Sequence, residues 1–303
     1  MVSTSRDNPE WIQSLIDTPS ERGETSVDGC RINYVTWGDI GKPGVVLLHG
    51  ANAHLEWWRL IAPLLADQFR VVAMDSSGSG DSGWREQYTG EIYAREAMEV
   101  AQAAGLGKNP YIVGHSFGGF PTMEAGFHFG TQLGGIIVMD FTIPSPDMVD
   151  EFAEMRKKRR NEPIRPTRVY PDKESALARF RLMPEQPNRF PSFIGYLAEH
   201  SLRQVEGGWT WKFDPGRFQK MTMEQDGEPD RTNKLLGMKC PAAFVMAESS
   251  DDYSEDSIDY TRKITEGKVP LFSIPGTYHH LMFDEPIAVA MTIKSTVHAW
   301  EHR

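Results

Sequence analysis

The chain has 303 residues, 40% hydrophobic and 24% charged, so it can bury the core of one large domain or two small ones. Its 32 Lys and Arg against 42 Asp and Glu give a net charge of −10, which argues against general binding to nucleic acid. Two cysteines are too few for a disulfide framework, and no apolar run reaches the roughly 20 residues that cross a bilayer. We therefore expect a cytoplasmic protein with neither a nucleic-acid nor a membrane partner, and we leave its oligomeric state open.

The N-terminal half alternates short apolar runs with segments of helical period. Residues 24–37 predict two strands around Asp28-Gly29, a turn pair that suits positive φ. Short runs that are apolar on both faces are typical of buried parallel strands. Four such runs lie at 44–48, 70–75, 110–113 and 135–139, and helical segments at 54–66, 91–105 and 117–129 separate them.

This alternation stops at Thr142 and resumes only after residue 230, with strands at 242–246 and 270–274 and a last helix at 287–300. The segment between is rich in proline and helical patches. We predict an α/β fold with a mostly parallel central sheet flanked by helices. Its core domain comprises residues 1–141 and 231–303, and a helical cap, or lid, at 142–230 is inserted after the sixth strand.

The sequence Gly114-His-Ser-Phe-Gly118 lies where a predicted strand meets a predicted helix. It has the form G-x-S-x-G, in which a strained strand-to-helix turn presents a serine at the positive helix N-terminus. Small residues are needed at 114 and 118 because neighbouring backbone passes close by. We predict that Ser116 is a nucleophile, which requires a histidine base on another loop.

Of the nine histidines, His279 and His280 follow the last predicted strand. Loops after parallel strands form the crevice in which ligands bind, so both can reach the serine. Four others are set aside because they lie in or beside helical segments: His128, His200, His298 and His302. His279 is the first candidate for the base, and His280 is the alternative.

His49-Gly-Ala-Asn-Ala53 directly follows another predicted strand. In such a loop the backbone N–H groups matter more than the imidazole. We predict that the amides of Ala51 and Phe117 form an oxyanion hole, in which each donor is often worth a few kcal/mol. A tight turn without this role is the alternative.

Together these motifs resemble those of the α/β-hydrolase superfamily with an inserted cap, over about residues 24–300. The resemblance rests on His49-Gly50, on Asp75 to Ser82, on the elbow around Ser116 and on Gly276 to His279. It implies the chain order nucleophile, acid, base. Asp284-Glu-Pro286 resembles the family's segment before its last helix and favours His279 by spacing. The 75–82 turn, in which Ser77 replaces the usual arginine, is interpreted as structural.

A triad needs a carboxylate that fixes the histidine tautomer, and the family supplies it after either of two strands. Asp251 follows the strand at 242–246 and is the first choice; Asp140, at the end of the strand after the elbow helix, is the second, and Asp252 the third. On this ranking Asp251→Asn lowers kcat by several orders of magnitude, and Asp140→Asn costs roughly tenfold or less. Each aspartate is also a candidate capping residue.

The residue at the elbow also excludes some chemistry. Haloalkane dehalogenases and epoxide hydrolases of this superfamily use an aspartate where this chain has Ser116. The elbow reads His-Ser-Phe, whereas relatives that cleave carbon–carbon bonds often carry Asn-Ser-Met. No Cys or His cluster has metal-ligand spacing and no strand is followed by a phosphate loop or dinucleotide fingerprint, so we expect neither a metal nor a cofactor.

Candidate substrate-binding residues are Asn52, His115, Trp209 and Trp211. The stretch from Arg156 to Arg181 holds ten basic and three acidic residues. Such a run is usually a solvated helix face, and a site for a substrate carboxylate or an acidic partner is the alternative.

The first hypothesis is a serine hydrolase that cleaves small to medium carboxylic esters through an acyl-enzyme on Ser116. The second keeps the triad but cleaves a carbon–carbon bond of a vinylogous diketone, a lactone or a thioester. The third is a ligand receptor of the same fold, against which the complete set of motifs argues.

Overall fold

The computed structural model describes residues 8–222, 230–250 and 255–302. Eight strands form one large sheet. They are β1 (Glu21–Val27), β2 (Cys30–Trp37), β3 (Gly44–Leu48), β4 (Arg70–Met74), β5 (Tyr111–His115), β6 (Gly135–Met139), β7 (Ala242–Ala247) and β8 (Leu271–Ile274).

The strands of the sheet lie in the order β1-β2-β4-β3-β5-β6-β7-β8. Strand β2 runs antiparallel to β1 and β4, and every other neighbouring pair is parallel. The predicted hairpin is confirmed: Val27 pairs with Cys30, and the two turn residues between them, Asp28 and Gly29, have φ of 47° and 75°. The carboxyl ends of β3, β5, β6 and β8 meet at one edge of the sheet.

Both faces of the sheet are covered, as expected for buried parallel strands. All five residues of β3 are buried, and its side chains alternate between two apolar clusters, with Val45 and Leu47 in one and Val46 and Leu48 in the other. The helices outside the predicted cap are Glu10–Ile16, Ala62–Leu65, Gly90–Ala103, Gly119–Phe129, Arg231–Gly237, Glu255–Ile264, Leu281–Asp284 and Pro286–Glu301, with 3₁₀ turns at Leu55–Trp58, Ser116–Gly118 and Gly130–Gln132. The predicted fold is confirmed.

The described part of the chain between β6 and residue 222 adds no strand to the large sheet. It contains the helices Pro146–Asn161, Lys173–Leu177 and Pro191–His200 and a hairpin of Leu202–Val205 with Gly208–Trp211. A short strand at its end, Met221–Thr222, pairs with Tyr88–Thr89. The segment thus contains a hairpin besides the helices expected of a cap, because Gly207 and Gly208, with φ of 83° and 143°, allow a tight turn between its two strands.

This inserted segment shares a buried apolar cluster with the sheet. Phe193 and Leu197 are fully buried in the same cluster as Val45 and Leu47 of β3. The division into two domains at residues 141 and 230 stays a prediction. None of the helices in the described ranges is both long and apolar enough to cross a bilayer.

Candidate active site

The nucleophile elbow has the form that the sequence predicts. Ser116 follows β5 directly and has φ of 53°, and the chain then enters the helix Gly119–Phe129. A Cβ at Gly114 would lie 2.1 Å from the carbonyl oxygen of Gly118, and a Cβ at Gly118 would lie 2.4 Å from that of Leu48. Both distances are far below van der Waals contact, so only glycine fits on either side of the serine.

Ser116, His279 and Asp140 form a continuous hydrogen-bonded chain. Ser116 Oγ donates to His279 Nε2 at 2.9 Å, and His279 Nδ1 donates to Asp140 Oδ2 at 2.7 Å. Asp140 follows β6 with φ of 47°, and His279 lies on the loop after β8. Three loops at one sheet edge thus bring together side chains that are far apart in sequence. Asp140 and His279 are 1% and 4% exposed, so their interaction is shielded from water.

Three donors hold the Asp140 carboxylate in place. Besides the imidazole, the Ala247 amide donates to Oδ1 at 3.1 Å and the Ser250 hydroxyl donates to Oδ2 at 2.6 Å. The structure thus places the second-ranked acid candidate at His279 Nδ1. The first and third candidates, Asp251 and Asp252, lie outside the described residues.

Two further histidines lie beside the predicted base, His279. His280 packs its ring 5.1 Å from that of Trp57 and 5.7 Å from that of Phe283, and His279 is the residue that contacts Ser116. His115 Nε2 donates to the His279 carbonyl oxygen at 2.8 Å, and burial lowers the pKa of His115 well below its usual value. His115 is therefore a neutral support for the base loop.

His115, His279 and His280 could also hold a metal ion, because their ligand atoms lie within 4.8 Å of one another. Both ring nitrogens of His279 already take part in hydrogen bonds, to Ser116 and Asp140. An ion bound there would have to displace one of those partners, so it would compete with the hydrogen-bonded chain.

The loop after β3 passes over the nucleophile. A Cβ at Gly50 would lie 3.3 Å from Cβ of Ser116. Ala51 is exposed at this loop, and Phe117 lies in the first turn after the elbow, where amide N–H groups have no acceptor within the helix. This geometry fits the predicted pair of oxyanion donors.

The His49 ring shapes the same loop. Its Nδ1 donates to the Gly50 carbonyl at 2.8 Å, and its Nε2 accepts from the Ser76 amide at 3.2 Å. Burial lowers the pKa of His49 to about 4, so the ring is neutral at pH 7 and both of its nitrogens are engaged by backbone.

The contacts of the turn at 75–82 hold the chain in place, in agreement with its interpretation as structural. The buried Asp75 carboxylate accepts from the Leu55 amide at 2.7 Å, from the Asp81 amide at 2.9 Å and from Asn33 Nδ2 at 2.8 Å. Burial raises its pKa to about 6. Asp75 therefore ties the turn after β4 to the segment that follows the predicted oxyanion loop.

A cavity of about 430 Å³ borders the predicted oxyanion loop. Of the four candidate substrate-binding residues, Asn52 and Trp211 line it. His115 does not line it, because its ring is buried against the carbonyl of His279, and Trp209 does not line it either. The Trp209 backbone pairs with Tyr170, which does line the cavity, and the Trp209 ring lies 5.8 Å from Lys173 Nζ. Neither His115 nor Trp209 lines this cavity, and a role for either in substrate binding stays a prediction.

The sequence analysis missed Arg217, which is fully buried in the inserted segment. Its Nη1 donates to Ser79 Oγ at 2.6 Å and its Nη2 to Asn52 Oδ1 at 3.3 Å. The guanidinium also lies 4.7 Å over the Phe117 ring. Arg217 therefore contacts residues of both loops that carry the predicted oxyanion donors. A lone arginine in no motif gives no sequence signal for such a position.

Known proteins resemble this chain in sequence. The model of the alpha/beta hydrolase family matches residues 45–292. Epoxide hydrolase 4 of Mus musculus is 29% identical over 127 residues, which cover 41% of this chain and 34% of that protein. A soluble epoxide hydrolase of Corynebacterium sp. (strain C12) is 37% identical over 99 residues, 32% of this chain and 33% of that protein. The chain thus spans about a third of the length of these relatives.

Solved structures share the fold over nearly the whole chain. The thioesterase domain from the curacin biosynthetic pathway superposes with a TM-score of 0.75 at 21% identity, covering 91% of this chain and all of that domain. An esterase of Mycobacterium tuberculosis gives a TM-score of 0.71 at 17% identity, covering 97% and 99%. The family match covers most of the sequence, and this chain belongs to the alpha/beta hydrolase family.

Proposed function

We propose that the protein is a serine hydrolase that cleaves carboxylic esters of small to medium size through an acyl-enzyme on Ser116. One observation carries the proposal, the hydrogen-bonded chain from Ser116 through His279 to Asp140. A serine hydroxyl becomes an effective nucleophile when a base takes its proton and a carboxylate fixes the base in the correct tautomer.

The reaction has two halves. Ser116 Oγ attacks the ester carbonyl while His279 Nε2 takes its proton, and the amides of Ala51 and Phe117 stabilise the oxyanion. His279 then protonates the leaving alcohol, and the acyl group stays on Ser116. Water, deprotonated by the same imidazole, attacks the acyl-enzyme and releases the acid. Asp140 stabilises the imidazolium in both halves without taking its proton.

The epoxide hydrolases among the relatives do not displace this proposal. The similarity to this chain covers only about a third of each of those proteins. At the elbow this chain carries the Ser116 hydroxyl, with His279 Nε2 at 2.9 Å. A hydroxyl paired with a histidine is suited to acyl transfer. The cavity of about 430 Å³ also lies within the usual size range of small-molecule sites, which supports a small to medium substrate.

The test is a panel of p-nitrophenyl esters, lactones, thioesters and vinylogous diketones, assayed with wild type, Ser116→Ala and the matched control Ser145→Ala. Ser145 is another buried serine, outside the site. We expect Ser116→Ala to lose at least about 10⁴-fold in kcat on esters and the control to retain activity. A fluorophosphonate should label Ser116, as detected by mass spectrometry of the peptide.

Ester hydrolysis that survives in Ser116→Ala contradicts the proposal. A thioester, lactone or diketone turned over far faster than every ester would replace the substrate class and keep the triad. Turnover slower than about once per hour, against a usual enzyme rate on the order of 10 per second, would indicate a ligand receptor.

A further inference from the structure

We propose that the cavity beside Ala51 selects esters that carry a carboxylate, on either the acyl or the alcohol side. This inference rests on the proposed ester hydrolysis and names its substrate class.

The charges around the cavity are one-sided. None of the described residues that line it is acidic. Four are basic, namely Arg159, Arg179, Arg181 and Lys212. Lys212 Nζ is paired with Asp81 at 2.8 Å. No carboxylate of the described ranges lies within 4.0 Å of the other three guanidiniums. Within the described residues, the three arginines that border this cavity thus have no carboxylate as a counter-charge.

The cavity adjoins the proposed chemistry. Ala51 and Asn52, on the loop that carries one predicted oxyanion donor, form part of its wall. Trp57 forms another part, and its ring lies 5.1 Å from that of His280, the neighbour of the proposed base. A ligand in the cavity can therefore extend towards Ser116 while its far end meets the arginines.

The rest of the wall suits an amphipathic ligand. Phe180, Trp211, Phe213 and Phe218 line the same cavity. The Arg159 guanidinium lies 4.5 Å over the Phe218 ring, a cation–π contact that holds the charge against the apolar wall. The lining thus fits a small apolar body that ends in an anion, and the planar donors of arginine match a carboxylate.

This local charge opposes the charge of the whole molecule. The chain carries a net charge of −10, which by itself repels anions. Behind the wall, Arg217 adds a fully buried positive charge next to Asn52, and no carboxylate of the described residues lies within 4.0 Å of it. Concave low-dielectric surfaces of one sign focus the field and concentrate the opposite ion. The positive cavity therefore recruits anionic substrates against the overall charge.

The test compares two matched ester pairs. On the acyl side, p-nitrophenyl hemisuccinate is compared with the neutral p-nitrophenyl levulinate. On the alcohol side, 4-acetoxybenzoate is compared with 4-acetoxybenzamide. We expect the anion to be preferred by about tenfold or more in kcat/KM within one of the pairs, and the pair identifies the side that carries the charge. Raising the ionic strength should reduce that preference, since salt screens exposed charges.

Variants connect the preference to the cavity. Arg179→Gln and Arg181→Gln should each reduce the preference by about three- to fivefold, because each removes one positive charge from the cavity wall, and kcat/KM for the neutral ester should change less than kcat/KM for the anion. The matched control is Arg165→Gln, because Arg165 belongs to the same basic stretch, is exposed and does not line the cavity. We expect no change in that variant. Circular dichroism of each variant checks that it is folded.

Equal kcat/KM within both pairs, with hydrolysis still dependent on Ser116, would overturn this inference and leave the proposed function intact. An equal loss of preference in Arg165→Gln would also overturn it, because the effect would then come from general surface charge. Absence of hydrolysis of all four esters by the wild type would contradict the proposed function and this inference with it.

Discussion

The two parts of the site are built differently. Ser116, Asp140 and His279 follow strand ends, and Asp140 and His279 are buried with their polar atoms bonded to defined partners. The arginines of the cavity lie on the inserted segment, are exposed and have few bonds of their own. The sheet thus holds the residues of the proposed reaction in a rigid frame. The inserted segment offers an adaptable surface on which substrate choice can change without disturbing that frame.

The largest effect in the rigid part is expected from replacing its carboxylate, Asp140. We expect Asp140→Asn to lower kcat for an ester by about 10⁴-fold, because the amide no longer holds the imidazole in the required tautomer. Asp251→Asn should cost less than about tenfold, which reverses the ranking that the sequence favours. Steady-state kinetics on both variants, with circular dichroism as a check on folding, measures this. A large loss in Asp251→Asn with a small one in Asp140→Asn would return the acid to the loop after β7.

Arg217 connects the two parts, so its replacement tests how far they are separate. We expect Arg217→Gln to lower kcat by about 10- to 100-fold, because Asn52 and Phe117 lose the guanidinium that holds them and the oxyanion donors shift. KM for a neutral ester should change less than kcat. Arg203→Gln is the control, since Arg203 is an exposed arginine of the same segment that lies 4.8 Å over the Trp84 ring. Unaltered kcat in Arg217→Gln would show that the oxyanion loops hold their positions without the inserted segment.

A smaller effect is expected where the two parts meet. His54 Nε2 donates to Ser201 Oγ of the inserted segment at 2.9 Å, and burial lowers the pKa of His54 to about 3. The unfolded chain binds a proton near pH 6.5 that the folded chain does not, so stability falls as the pH drops from about 6.5 towards 3. His49, with a pKa of about 4, adds to this slope, and Asp75, with a raised pKa of about 6, opposes it.

We therefore expect His54→Asn to flatten the dependence of the unfolding free energy on pH by up to about 1.4 kcal/mol per pH unit between pH 6 and 4. Urea denaturation at several pH values measures this slope. A slope in His54→Asn equal to that of the wild type would mean that His54 is not buried as a neutral ring.

The rigid part was largely predictable from the sequence. Gly114 and Gly118 around Ser116, between a strand and a helix, predict both the elbow and its steric reason, and the spacing to Asp284 selects His279. The acid could not be ranked in this way, because Asp140 and Asp251 both follow strands. Which of them meets the imidazole depends on how the loops curve in three dimensions.

The adaptable part was less predictable. Trp209 and Trp211 share one face of a strand by period-two alternation, but only Trp211 lines the cavity. The sequence predicts which face of a strand a residue lies on. How far that residue lies from the cavity depends on how the strand packs in three dimensions. Arg217 has no motif, and its burial against Phe117 follows from the path of the inserted segment.

Ser116 and Asp140 share a backbone conformation that L-residues adopt reluctantly, with φ of 53° and 47°. The left-handed region costs roughly 1–2 kcal/mol per residue, and glycine would avoid most of that cost. Two side chains that the proposed reaction needs thus occupy positions where replacement by glycine would lower the conformational strain of the backbone. Selection for stability alone would therefore favour glycine at both positions, so the proposed activity and the stability of the fold make opposite demands there.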